Sequence, residues 1–325
     1  VTKSTAKSTA KSTATGSTAE PSATPPSAIE SITTSDGVRL HVVVDGPESA
    51  PATLVLLHGW TMDHHSWDDA VERLPGQRVV RFDFRGHGES AAAPPGTAKI
   101  SRLADDLAEV IERFAPSGPL VLAGHSMGGM TLMAFADQHP RVVEQRVLGV
   151  GFVATTSGGL SKLRLGLPRW VAAPVLFGEK VVNLGLARVR KPRLLGRWAA
   201  IARPGVRWLV FGRKPVPGHI AETAAAVGRC NPANMVAFRN DLNLHERLRA
   251  LGTYRGVRAV VMSGGRDRLC PVRDGRVIAD ALPDAEFAVY PDAGHMLNYE
   301  RVDEVASRLS RLLAAAVDTP ARATA

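Results

Sequence analysis

The sequence predicts an α/β fold: a mostly parallel, doubly wound sheet with a long insertion. Three observations carry that prediction. Short apolar runs at 53–57, 78–84, 119–123, 146–153, 257–262 and 286–290 have the length and continuity of strands buried on both faces. Helix-period segments lie between most of them, at 65–74, 101–114, 127–138, 272–281 and 301–315, and strands alternating with helices close into a parallel sheet covered on both sides. The alternation then breaks between Thr155 and Asn234, where about 80 residues stand in place of a short connection.

Taken in order, the chain opens on a segment unlike the rest. Lys-Ser-Thr-Ala occurs three times from Lys3 to Ala14. Nothing there can bury apolar surface, so 1–35 reads as a disordered low-complexity tail. It has no apolar stretch of the kind a secretory signal needs. From Ile32 to Asp45 an alternating pattern flanks Asp36-Gly37, which predicts an entry hairpin. The core is expected in two parts, 36–154 and 235–317, with the insertion over 155–234 and a loose end over 318–325. Phe114 to Ala136 holds no Asp, Glu, Lys or Arg, but Gly118, Pro119, Gly124, Gly128 and Gly129 interrupt it, so no transmembrane segment is expected. With 325 residues and 45% hydrophobic composition the chain can bury a full core without disulfide or metal. The two cysteines, Cys230 and Cys270, read as free thiols, which fits a cytoplasmic setting.

The chemistry centres on Gly124-His125-Ser126-Met127-Gly128. An apolar strand precedes it and a helical segment follows, so the serine sits in the sharp strand-to-helix turn of a nucleophile elbow. Four further segments accompany it in order. They are Leu54-Val55-Leu56-Leu57-His58-Gly59-Trp60, then Asp83-Phe84-Arg85-Gly86-His87-Gly88-Glu89-Ser90, then Gly264-Gly265-Arg266-Asp267-Arg268-Leu269-Cys270-Pro271, and finally Gly294-His295 with Glu300. Together these resemble the α/β-hydrolase family over about residues 36–316, with serine esterases and lipases as the nearest kind. The resemblance implies a catalytic serine at Ser126, a base at His295 and a supporting acid at Asp267. It also implies an oxyanion hole formed by the backbone N–H groups of Trp60 and Met127, and an inserted helical cap over 155–234.

The residue types suit that chemistry. A serine hydroxyl needs a base whose pKa lies near neutrality, and histidine is that base. A carboxylate then holds the imidazole in one tautomer and stabilises its cation. Some relatives carry the acid after the sixth strand, but Gly151 to Ser157 here contains no carboxylate. His58 and His125 read as structural, and Asp63-His64-His65 lacks further ligands at a zinc-like spacing. His58 and Asp63 also fit a short acyltransferase pattern. Asp83 and Arg85 are expected to stabilise their loop by ion pairing. No dinucleotide or phosphate-loop motif is present, so no cofactor and no metal is expected.

The expected activity is cofactor-free hydrolysis of a small-molecule carboxylic ester. Thioesterase, lactonase, C–C bond hydrolase, perhydrolase and acyltransferase activities are alternatives on the same residues. A binding protein that lost its chemistry is the alternative from another class. Charge adds one hint about partners. Ser161 to Lys214 carries thirteen Lys or Arg and one acid, Glu179, a local +12 in a chain of +9. With Trp170, Trp198, Trp208, Phe177 and Phe211 interleaved, this predicts peripheral contact with anionic lipid, against the plain alternative of a solvated cap. Nothing points to nucleic acid.

Overall fold

The computed structural model describes residues 1–2, 27–162 and 193–318. Eight strands form one sheet: β1 (Ala28–Thr33), β2 (Arg39–Asp45), β3 (Thr53–Leu57), β4 (Arg78–Phe82), β5 (Leu120–His125), β6 (Val147–Val153), β7 (Arg258–Gly264) and β8 (Glu286–Tyr290). Their spatial order is β1-β2-β4-β3-β5-β6-β7-β8. The β1/β2 and β2/β4 pairs are antiparallel and the remaining pairs parallel. The helices are α1 (Asp68–Val71), α2 (Ile100–Phe114), α3 (Met127–Gln138), α4 (Pro140–Arg146), α5 (Arg193–Val210), α6 (Pro217–Arg229), α7 (Pro232–Leu242), α8 (Val272–Ala281), α9 (Leu297–Glu300) and α10 (Val302–Asp318). None of the described helices is long and apolar enough to cross a membrane.

The strand alternation divides the core into two layers. Val55, Leu57, Val80, Phe82, Leu122 and Phe152 face one side, where α2 and α3 lie. Leu54, Leu56, Val79, Val121, Ala123 and Met262 face the other, against Trp67, Leu309, Leu312 and Leu313. Each fully buried aliphatic side chain contributes about 1.5–3 kcal/mol relative to exposure. Helix α2 buries Ile100, Leu103, Ala104, Leu107, Val110, Ile111 and Phe114, the stripe of a helix laid on a sheet. Helix α3 differs: its residues from Met127 to Ala136 are all buried, as an all-apolar helix requires.

Two expectations need correction. The sheet begins at Ala28, so residues 28–35 leave the tail expected over 1–35. Strand β1 is almost wholly exposed and is held by its ladder to β2, from Ala28↔Val44 to Thr33↔Arg39, rather than by side-chain burial. Its sequence therefore carries little of the apolar signal by which strands are read. The rest of the tail, residues 3–26, lies outside the described residues. The second correction concerns the segment between β6 and β7. Helix α7 straddles the boundary expected at 234, because Asn231 accepts the Asn234 N–H at 3.1 Å and Pro232 occupies the first turn, a helix start the sequence carries openly. Residues 163–192 of this insertion, with Trp170, Phe177, Arg188, Arg190 and Lys191, lie outside the described residues, as do 319–325.

Asp83 and Arg85 do not pair with each other. Fully buried Arg85 donates to Asp106 through Nε (2.7 Å) and Nη2 (2.6 Å) and to Asp36 through Nη1 (2.7 Å) and Nη2 (3.0 Å). It thereby ties the hairpin turn, α2 and the loop after β4 into one unit. The Arg85 guanidinium holds the Asp36 carboxyl well below the usual carboxylate range.

Candidate active site

The elbow is built from sterics. Ser126 leaves β5 and caps α3 with φ 52° and ψ −116°, a backbone state costly for any residue with a side chain. Its surroundings over-determine that state. The Ser126 N–H donates to the Val153 carbonyl at 2.9 Å, and its carbonyl accepts the Gly129 N–H at 2.9 Å and the Thr155 hydroxyl at 2.7 Å. The flanking glycines are required by close approach: a Cβ on Gly124 would lie 2.3 Å from the Gly128 carbonyl carbon, and one on Gly128 2.4 Å from the Leu57 carbonyl oxygen. Ser126 remains partly exposed while its neighbours from Gly124 to Gly128 are buried.

Strands β3 and β5 run side by side to their carboxyl ends, where Leu57 pairs with Gly124. The loop after β3 therefore lies on the elbow, and a Cβ on Gly59 would fall 3.3 Å from that of Ser126. The loop turns tightly, with the Met62 N–H donating to the Gly59 carbonyl at 3.1 Å and Thr61 at φ 64°. Trp60 is pinned by its indole N–H, which donates to the Met235 carbonyl at 3.0 Å. Met127 is the first residue of α3, so its N–H has no acceptor within the helix. His58 shapes the loop as the sequence suggested. Its Nε2 accepts the Phe84 N–H at 2.9 Å, so its Nδ1–H donates to the Gly59 carbonyl at 2.8 Å. Burial lowers its pKa to about 4, keeping it neutral.

Asp267 and His295 come from the ends of β7 and β8, whose last register pair is Gly264 with Tyr290. Asp267 Oδ2 accepts from His295 Nδ1 at 2.7 Å, and both side chains are buried. The other oxygen, Oδ1, accepts the Leu269 and Cys270 N–H groups, each at 2.8 Å. These donors fix the carboxylate and present it to Nδ1, which leaves Nε2 as the free nitrogen of His295. The loop carrying His295 is held against the elbow by His125, whose Nε2 donates to the His295 carbonyl at 2.9 Å. The two rings lie 4.9 Å apart. Burial lowers the His125 pKa to about 3, so no positive charge competes beside His295.

The remaining candidates are committed to structural bonds. Asp63 is buried and pairs with Arg229 Nε at 2.6 Å, so neither it nor His58 keeps a free group for the acyltransferase pattern. His65 bonds Asp68 at 2.7 Å. Among the described residues His41, His64 and Asp83 alone group potential metal ligands. Asp83, however, already accepts the N–H and Nδ1 of His64 and the N–H of Glu89. Sequence reading missed the supports. Thr155, Arg229, Met235 and the reach of Glu300 to Gly212 act across 29 to 175 residues of chain, a separation at which no local pattern signals a contact.

A model of the alpha/beta hydrolase family matches residues 54–308. The chain is 26% identical to a monoacylglycerol lipase of Mycolicibacterium smegmatis over 268 residues, 80% of this chain and 86% of that protein. It is likewise 26% identical to an sn-1-specific diacylglycerol lipase of Mus musculus over 277 residues, 84% of each chain. Among solved structures, a thermophilic esterase from Thermogutta terrifontis superposes with a TM-score of 0.71 at 22% identity, covering 89% of this chain and 99% of that one.

Proposed function

The chain belongs to the alpha/beta hydrolase family, and from that premise we propose that it hydrolyses a carboxylic ester through an acyl-serine intermediate at Ser126. The observation that carries the reading is the buried 2.7 Å contact between Asp267 and His295, seated against a strained serine elbow. His295 Nε2 takes the Ser126 proton as Oγ attacks the ester carbonyl, and Asp267 stabilises the imidazolium. The N–H groups of Trp60 and Met127 receive the oxyanion. Collapse expels the alcohol, which takes its proton from His295. Water then repeats the cycle on the acyl-enzyme, with His295 again as base, and releases the acid. A fluorophosphonate probe and a series of p-nitrophenyl esters of graded chain length test this. Labelling of the parent protein is expected, with turnover across the series; a parent that takes no label and cleaves no ester overturns the proposal.

The ester is proposed to be lipid-like, met at an anionic surface by the β6–β7 insertion acting as a cap. Two of the relatives above are named as acylglycerol lipases. In α5 and the loop after it, Ile201 (71% exposed), Trp208 (42%) and Val216 (54%) stand out among the exposed cations Arg203, Arg207 and Lys214. Arg268 stacks over the Trp208 ring at 5.0 Å and donates to its carbonyl at 2.8 Å. An apolar ridge with cationic flanks fits a headgroup layer. Contact of this kind is peripheral, and the buried free thiols Cys230 and Cys270 support a cytoplasmic location. Each cation near an anionic surface contributes about 1 kcal/mol. The triple variant Arg203→Glu, Arg207→Glu, Lys214→Glu should therefore weaken binding to phosphatidylserine-containing vesicles at least about 10²-fold. Hydrolysis of a short soluble ester should be unchanged, and parent binding should fall as salt rises. Equal affinity of the parent for neutral and anionic vesicles would refute the surface.

A further inference from the structure

The loop bearing His295 is fastened along its backbone to the end of α5. The N–H groups of His295 and Met296 both donate to the Val210 carbonyl, at 2.8 and 3.2 Å, and the Arg213 N–H donates to the Asp292 carbonyl at 2.9 Å. The two segments meet main chain to main chain. A Cβ on Gly294 would lie 2.6 Å from the Phe211 carbonyl carbon, and one on Gly212 2.0 Å from the Asp292 oxygen. Glu300, the last residue of α9, reaches both sides of this seam. Its Oε1 accepts the Gly294 N–H at 2.8 Å and its Oε2 the Gly212 N–H at 2.7 Å. A single carboxylate thus receives the residue before His295 and the second residue after α5.

We infer that Glu300 is a positioning residue, locking Gly294 to Gly212 so that the β6–β7 insertion sets where the His295 imidazole points. The inference rests on the serine-hydrolase reading above. The Asp267 bond fixes one atom of the ring, Nδ1, and by itself leaves Nε2 free to swing about that point. The backbone seam supplies a second fixed point, at the His295 N–H, across the residue from the carbonyl that His125 holds. Without Glu300 the Gly212 and Gly294 N–H groups lose their carboxylate, and among the described residues the seam keeps the Val210 and Asp292 carbonyls and the Asp292 carboxylate as acceptors. Glu300 touches neither substrate nor reacting atoms. Its effect passes through the main chain of Gly294.

Glu300→Ala and Glu300→Gln test this. In Glu300→Ala, kcat on a short soluble ester is expected to fall about 10²-fold, the scale of an ångström-sized misplacement, with KM nearly unchanged. Glu300→Gln keeps one acceptor oxygen and turns its NH₂ toward the other N–H, so its kcat should fall between parent and alanine variant. If the alanine variant does not fold, the glutamine variant decides. The second readout is independent of activity: the amide protons of Gly212 and Gly294 should move upfield by NMR, and the Nδ1 proton of His295 should broaden. A folded variant whose kcat stays within about threefold of the parent, or whose two glycine amide resonances do not move, overturns the inference. Failure of the parent to take a fluorophosphonate label would instead sink the hydrolase reading, and the amide shifts would still decide whether Glu300 holds the seam.

Discussion

Ser126→Ala is expected to lower turnover of a short ester by about 10⁶-fold and to abolish fluorophosphonate labelling. The effect is so large because the residues of such a unit act together, and losing the nucleophile leaves only binding and oxyanion stabilisation behind. The fold should survive the change. The bonds that hold the elbow run through the Ser126 main chain, to Val153, Gly129 and Thr155, and all are available to alanine. The thermal midpoint should therefore stay with the parent while activity vanishes. Turnover at the parent rate would mean that the chemistry lies elsewhere.

Asp267→Asn is the second large effect, a fall in kcat of up to about 10⁴-fold. In the parent, backbone N–H donors from Leu269 and Cys270 fill Oδ1 and leave Oδ2 to accept from His295. An asparagine keeps its oxygen toward those two donors and so presents its NH₂ to the imidazole. That NH₂ needs an acceptor, which forces the proton onto Nε2, the atom that must receive the Ser126 proton. The rival location for the acid, after β6, holds Thr155 and Thr156 instead, and Thr155 supports the elbow through its hydroxyl. A loss smaller than about tenfold would point to another acid.

What the sequence made legible follows from where its constraints are local. The elbow could be read because a serine at positive φ between strand and helix needs small neighbours on both sides. Gly124 and Gly128 are visible for that reason. The strands β3, β5 and β6 could be read because burial on both faces enforces an unbroken apolar run. Strand β1 could not, since backbone pairing at a sheet edge asks little of its side chains. The four-residue α1 was overextended to 65–74, and the short α4 was not foreseen, because so few residues carry no helical period. Asp63 illustrates the limit at the site. With His58 it fits a short acyltransferase pattern, yet its partner is Arg229, on the insertion. Which carboxylate meets which cation is decided by the packed sheet, not by spacing along the chain.

Helix α3 has almost no water-facing side: ten of its twelve residues are buried. Its amides can meet solvent only when the surrounding layers part, so their hydrogen exchange reports global opening rather than local fraying. Ser126 is thereby joined to a helix whose amides are expected to exchange slowly. His295 is carried instead by a buried loop and a four-residue helix, braced from an insertion that is mostly exposed over residues 201–208. Hydrogen exchange over residues 201–208 is therefore expected to run ahead of exchange along α3, a difference that mass spectrometry reads.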